Sequence, residues 1–147
     1  MPSGMHQVVL ELPIRVIWNF VKDMDNWAPL VPGYVNHEKI NNRQSTWEFK
    51  GDIGILKKKV SLLIDIKEWI EPNKVSFDLQ GEKYTGEGYF EAKAINPNNT
   101  RLTGFLEINA IGALESMKNS LLKTAIPKSA EEIALAISSK LMEQNTR

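Results

Sequence analysis

Few side chains in this sequence are spaced for making or breaking bonds. There are two histidines, His6 and His37, and neither belongs to an HxxxH-type metal spacing. Cysteine is absent, which removes disulfides, thiolate metal sites and a cysteine nucleophile. No Ser-His-Asp order can be read along the chain, although such sites assemble in space rather than in sequence. A general acid or base would need to sit in an apolar interior with a shifted pKa. His6, Tyr34, His37 and Glu38 are the side chains available for that task. His6 shares a strand face with Val8 and Leu10, whereas the register around His37 stays open. The glycines at 86 and 88 do not open a helix after a strand, so they are no dinucleotide fingerprint. We therefore assign no catalytic residue, no metal ligand and no cofactor.

Binding is better represented than catalysis. The four tryptophans are Trp18, Trp27, Trp47 and Trp69. Large rings give contact area at little rotamer cost, and they serve an apolar ligand or a plain core equally well. Trp47 and Phe49 alternate with Glu48 and Lys50, so they share one face and form a candidate wall just before Gly51. Trp69 falls on the polar face of its strand unless a bulge intervenes, which makes it, with Phe105, a candidate contact for a partner protein. Lys57, Lys58 and Lys59 form a short basic run, with Lys58 on the inward phase. It meets an acidic ligand group or snorkels to water. Gly88 and Gly104 fall within strands, where glycine marks a bend or a close approach, and curvature is the simpler reading.

Those residues need elements to hold them. Met5–Leu12 reads as a first strand. Pro13 opens a short helix carrying Val16, Ile17, Phe20 and Val21 at helical spacing. Asp23 caps a second short helix through Trp27, and Pro32-Gly33 turns the chain into strands. Residues 45–50, 56–70, 75–79, 90–94 and 101–108 show period-two alternation, with turns at Pro72-Asn73, Gly81–Gly86 and Asn96–Asn99. The final segment is helical, with Leu114, Met117 and Leu121 on one face. Pro127 is expected to break it, and Ser129 with Glu132 to restart it as a capping box. Ile133, Ile137 and Leu141 continue the apolar stripe. Segregated helices and strands indicate an α+β domain spanning 1–147. About seven antiparallel strands curve around the long C-terminal helix, with two short helices after the first strand.

Composition agrees. Hydrophobic residues at 42% and charged residues at 24% suit a globular domain. The 18 basic and 18 acidic side chains cancel, giving no footprint for nucleic acid. No apolar run approaches the roughly 18 residues of a membrane span, and the N-terminus lacks a secretory pattern. We expect a cytoplasmic protein without stable membrane insertion.

The order of elements resembles the START-like, helix-grip superfamily shared with the birch-pollen allergen. Within it, the sequence is most similar to the G-subunit family of carbon monoxide dehydrogenase. The resembling pieces are Val16-Ile17-Trp18-Asn19-Phe20-Val21-Lys22-Asp23, Val31-Pro32-Gly33 and Gly51-Asp52-Ile53-Gly54. They continue with the long strand that follows, Gly81, Gly86-Glu87-Gly88 and Thr100-Arg101-Leu102-Thr103. The resemblance implies an apolar cavity between sheet and helix for lipids, polyketides, steroids or similar molecules. It also implies that the Leu30–Tyr34 segment lies at the cavity mouth, with Leu30 and Tyr34 as lips. The candidate ligand-binding set is Trp27, Leu30, Tyr34, Trp47, Phe49, Leu62, Phe77, Phe90, Met117 and Leu121. Three functions follow: a carrier of a hydrophobic small molecule or lipid, a polyketide cyclase or dehydratase-like enzyme, or an accessory factor acting on a partner protein.

Overall fold

The computed structural model describes residues 2–50 and 59–145. Alternating apolar and polar residues give seven antiparallel strands in one sheet, ordered β1-β7-β6-β5-β4-β3-β2. They are β1 Ser3–Leu10, β2 Tyr34–Lys39, β3 Gln44–Lys50, β4 Lys59–Ile70, β5 Lys74–Gln80, β6 Tyr84–Asn96 and β7 Asn99–Ala110. Strands β2 to β7 form a meander, and β1 joins its β7 edge. Between β1 and β2 lie α1 Ile14–Val21, α2 Met24–Trp27 and a 3-10 turn Ala28–Leu30. The long helix α3, Glu115–Asn145, packs against β1 and β7. This is the expected α+β architecture. The basic residues Lys57 and Lys58 lie outside the described segments.

The capping of α2 is as expected: the Asp23 carboxylate accepts the Asp25 N–H at 3.0 Å, satisfying one of the donors a helix start leaves open. Pro13 stands one position earlier than expected, as the N-cap of α1 in extended conformation. The turn expected over Gly81–Gly86 is shorter, because β6 already begins at Tyr84.

The phase of α3 corrects the sequence reading. Pro127 lies inside one continuous helix, which neither breaks there nor restarts at Ser129. The buried stripe is Leu122, Ile126, Ala130, Ile133, Ile137 and Leu141. Treating Pro127 as a break let the segment before it be read one residue out of phase, about 100° around the helix, while Ile133, Ile137 and Leu141 after it are buried as expected. Leu114 consequently falls before the helix at a φ of 65°, and Met117 and Leu121 are 49% and 36% exposed. Asn119 ties the start of α3 to the sheet. Its amide oxygen accepts the Ala110 N–H at 2.7 Å and its amide nitrogen donates to the Ala110 carbonyl at 3.2 Å. Gly4 on β1 lets the helix come close: a Cβ there would lie 2.5 Å from the Pro127 Cα and 2.9 Å from the Ile126 carbonyl oxygen. Those are backbone atoms, so a side chain at Gly4 would displace the helix.

Two bulges re-aim side chains that strict alternation sends the other way. The first separates Tyr34 from Asn36, so Tyr34 faces Phe49 and His37 faces Trp47. Both thus join the concave side although they are three positions apart. The second separates Ile66 from Glu68, and Trp69 pairs with the buried Val75. Trp69 is therefore not an outward ring. It is half-buried against the core, its indole N–H donates to the Lys22 carbonyl at 3.2 Å, and the Arg43 guanidinium lies 5.1 Å from its ring centre.

Candidate functional site

The curved sheet and the straight helix do not meet everywhere, and the gap between them is an apolar cavity of about 100 Å³. Its floor comes from alternate inward positions of the central strands: Trp47 and Phe49, then Leu62 and Ile64, then Phe77 and Leu79. Tyr84 and Phe90 of β6 and Leu106 and Ile108 of β7 complete that wall. The helix contributes Leu122, Ile126, Ser129, Ala130 and Ile133. Trp27 of α2 meets three of these rings, with Trp47, Phe77 and Phe90 at 5.4, 5.4 and 4.8 Å between centres. Gly104 lines the cavity, where an added Cβ would meet the Phe90 ring at 3.5 Å, whereas Gly88 leaves room for the Phe77 ring.

Of the expected binding residues, Trp27, Trp47, Phe49, Leu62, Phe77 and Phe90 line this cavity. Leu30 and Tyr34 do not. Leu30 is taken up by the 3-10 turn and packs on the core, so the next two residues, Val31 and Pro32, supply the wall from that segment. Tyr34 is held by His37 instead. Met117 and Leu121 face away because of the helix phase. The residues missed include the helical set from Leu122 to Ile133, the wall positions Val31, Pro32, Ile64, Leu79, Leu106 and Ile108, and Tyr84. A period-two count from Phe90 back through Gly88 and Gly86 would have reached Tyr84.

The polar atoms of the wall are few. Both indole N–H groups are committed: Trp27 donates to the Val21 carbonyl at 3.0 Å and Trp47 to the Ser45 hydroxyl at 2.5 Å. Two hydroxyls remain, on Ser129 and Tyr84. The Tyr84 hydroxyl is the buried side-chain polar atom without a hydrogen-bond partner among the described residues. Burial holds its pKa above the usual tyrosine value of 10.0, so it is protonated and acts as a donor at neutral pH.

Beside the cavity, behind Trp47, α2 and β2 meet through charges. The Tyr34 hydroxyl lies 2.5 Å from His37 Nδ1, and His37 Nε2 lies 2.6 Å from the Asp25 carboxylate. The Lys39 ammonium bridges Asp25 at 2.8 Å and Asp23 at 3.2 Å. The hydrogen bond from His37, followed by that from Lys39, holds the Asp25 pKa below 3.8. An ionised carboxylate only accepts, so Nε2 carries the proton and Nδ1 is left to accept from Tyr34. His37 is mostly covered, its side chain 13% exposed, and its ring centre is 5.8 Å from that of Trp47.

A depressed folded-state pKa gives stability that is present above the unfolded value and lost as pH falls through the folded one. Asp25→Asn should therefore lower the urea midpoint at neutral pH. The gap to wild type should close in acid below about 3.8, the ordinary Asp value. A gap independent of pH would show that Asp25 acts by packing alone.

A single curved antiparallel sheet gripping a long helix, with a two-helix insert after its first strand, defines the START-like, helix-grip class. Comparisons with known proteins agree. A protein-family model matches residues 1–145, so one family accounts for the chain almost end to end. No curated protein matches the sequence. Among solved structures, a START superfamily protein from Mycobacterium smegmatis superposes with a TM-score of 0.78 at 14% identity, covering 97% of this chain and 99% of that one. A Thermus thermophilus protein gives 0.80 at 16% identity, covering 98% and 99%. A Streptomyces aromatase/cyclase gives 0.77 at 12% identity, covering 99% and 95%. The chain therefore has the START-like, helix-grip fold. Among the described residues no helix is long and apolar enough to cross a membrane.

Proposed function

We propose that this protein, acting as a single domain in the cytoplasm, binds or carries a hydrophobic small molecule or lipid in the cavity between sheet and α3. The observation that carries this reading is the cavity itself. A fold that could have packed this space with side chains leaves about 100 Å³ walled by carbon. Burying apolar ligand surface there gains roughly 25 cal/mol per Å² before the costs of association. The volume is of the order of a cavity that takes one benzene-sized ring, about 150 Å³. A larger lipid would have to spread the wall at Val31 and Pro32. The finer placement near the carbon monoxide dehydrogenase G-subunit family rests on the sequence pieces quoted above. Native mass spectrometry of the purified protein, then organic extraction, tests the reading. A released apolar molecule supports it. Bare protein that also fails to brighten an apolar dye rejects it.

A second reading, a polyketide cyclase or dehydratase-like enzyme, is favoured by the Tyr34–His37–Asp25 chain. Such an enzyme needs an acid or base on the concave side, and the β2 bulge turns Tyr34 and His37 that way. His37 can take the Tyr34 proton while Asp25 balances the imidazolium, the division of labour of an orienting carboxylate and a base. A superposing aromatase/cyclase fits this reading. Incubation with a poly-β-keto thioester should then yield an aromatic product, lost in His37→Ala. Turnover unchanged in that variant would reject the role of the chain. The accessory-factor reading has less support: Trp69 is half-buried, its indole N–H donates to the Lys22 carbonyl and the Arg43 guanidinium lies over its ring, and Phe105 stacks on Tyr89 at 5.1 Å.

A further inference from the structure

Tyr84 is 5% exposed, lines the cavity, and has a hydroxyl with no protein partner among the described residues. A buried hydroxyl left unpaired costs about 1–3 kcal/mol, and native proteins rarely tolerate one without a use. The register shows where it stands. Tyr84 pairs with Ala110, and the next inward position of β6 is Gly86, flanked by Leu79 and Ile108. Leu79 and Ile108 both line the cavity, so Tyr84 stands at the end of the cavity that these two residues form. Phe90 and Trp27, whose rings meet edge to face at 4.8 Å, also line it. No lysine, arginine or histidine lines the cavity among the described residues. The Lys118 ammonium lies outside that lining, over the Tyr84 ring at 5.8 Å from its centre, so a carboxylate would be buried with no cation in the cavity wall itself, a desolvation cost a neutral group avoids.

We infer that the cavity selects neutral apolar ligands of ring size that carry one hydrogen-bond-accepting oxygen, a carbonyl above all, bound by the Tyr84 hydroxyl. The inference rests on the cavity reading above and names the chemistry its ligand must have. The Tyr84 O–H donates, the ligand oxygen accepts, and the hydrocarbon remainder lies against Leu79, Ile108 and Leu122. A pure hydrocarbon would fill the space but leave the hydroxyl unpaired. A charged fatty acid would pair it but bury a charge with no cation in the cavity wall.

The test uses acetophenone and α-methylstyrene, which share a shape and differ in an oxygen for a methylene. Both are titrated by NMR into wild-type protein and Tyr84→Phe. The variant should weaken acetophenone binding about tenfold, the effect of one lost hydrogen bond in a dry site, and leave α-methylstyrene equal or tighter. Without ligand, Tyr84→Phe should raise the urea midpoint, because it deletes an unpaired polar atom. If both ligands bind and the variant shifts them equally, this inference is overturned and the cavity reading stands. If the unliganded variant is less stable than wild type, the hydroxyl already has a partner such as a held water, and the inference fails on that ground. If neither ligand binds the wild-type protein and an apolar dye does not bind either, the cavity reading falls with it.

Discussion

Trp27→Ala is expected to destabilise the protein by about 3–5 kcal/mol, the range for removing a large ring from a core. Trp27 is 2% exposed and touches Trp47, Phe77 and Phe90, so one substitution empties the centre of the aromatic cluster. It also leaves the Val21 carbonyl, which accepts the indole N–H at 3.0 Å, without its partner. Trp27→Phe separates the two effects. It keeps a ring against Phe90 but loses the hydrogen bond, and it should cost about 1–3 kcal/mol. Urea denaturation of the three proteins gives the comparison. A loss below about 1 kcal/mol for Trp27→Ala would mean that α2 is not anchored through this ring, and the cavity wall on that side would need redrawing. The same variant widens the cavity toward α2, so if it folds it should accept ligands larger than wild type does.

The sheet was legible because its signal is local. Each strand from Gln44 onward alternates apolar and polar residues, and a half-buried strand leaves no other pattern. Wall residues such as Trp47, Leu62, Phe77 and Phe90 followed from phase alone. What was hidden depended on single positions where the phase shifts. The bulges after Tyr34 and Ile66 reverse the faces of His37 and Trp69, and nothing in the side chains nearby announces an extra backbone residue. Pro127 misled in the other direction. Proline in mid-helix ordinarily costs about 3 kcal/mol and ends the helix, yet here the tertiary packing of Ile126 and Ala130 on both sides holds the helix through it. The Tyr34–His37–Asp25 chain was out of reach for a different reason. Asp25 reaches β2 from another element, and only the docking of α2 brings it to His37.

These errors share a consequence for function. Sequence phase placed the helical side of the cavity on Met117 and Leu121, whereas the structure places it on Leu122, Ile126 and Ala130. The two placements make opposite forecasts for the same helix. A ligand-binding assay on substitutions of α3 therefore tests the geometry of the site and not only the existence of a pocket.

Ala130→Leu is expected to weaken binding of an apolar dye more than tenfold while leaving the fold intact. Ala130 is buried and lines the cavity, and leucine adds three carbons where about 100 Å³ is empty. Filling a real void should leave stability unchanged or raise it by about 0.5–2 kcal/mol. Filling a space that is already packed would instead strain the helix against the sheet and cost about 1–3 kcal/mol. The sign of the stability change thus reports on the void independently of the dye. Met117→Ala is the control: it removes an exposed side chain from the same helix and should change neither quantity. If Met117→Ala abolished dye binding and Ala130→Leu did not, the binding face of α3 would be the one turned from the sheet. The ligand would then lie on the surface of the helix rather than beneath it. If Ala130→Leu stabilises the protein and excludes the dye together, the space it fills is the space the ligand uses.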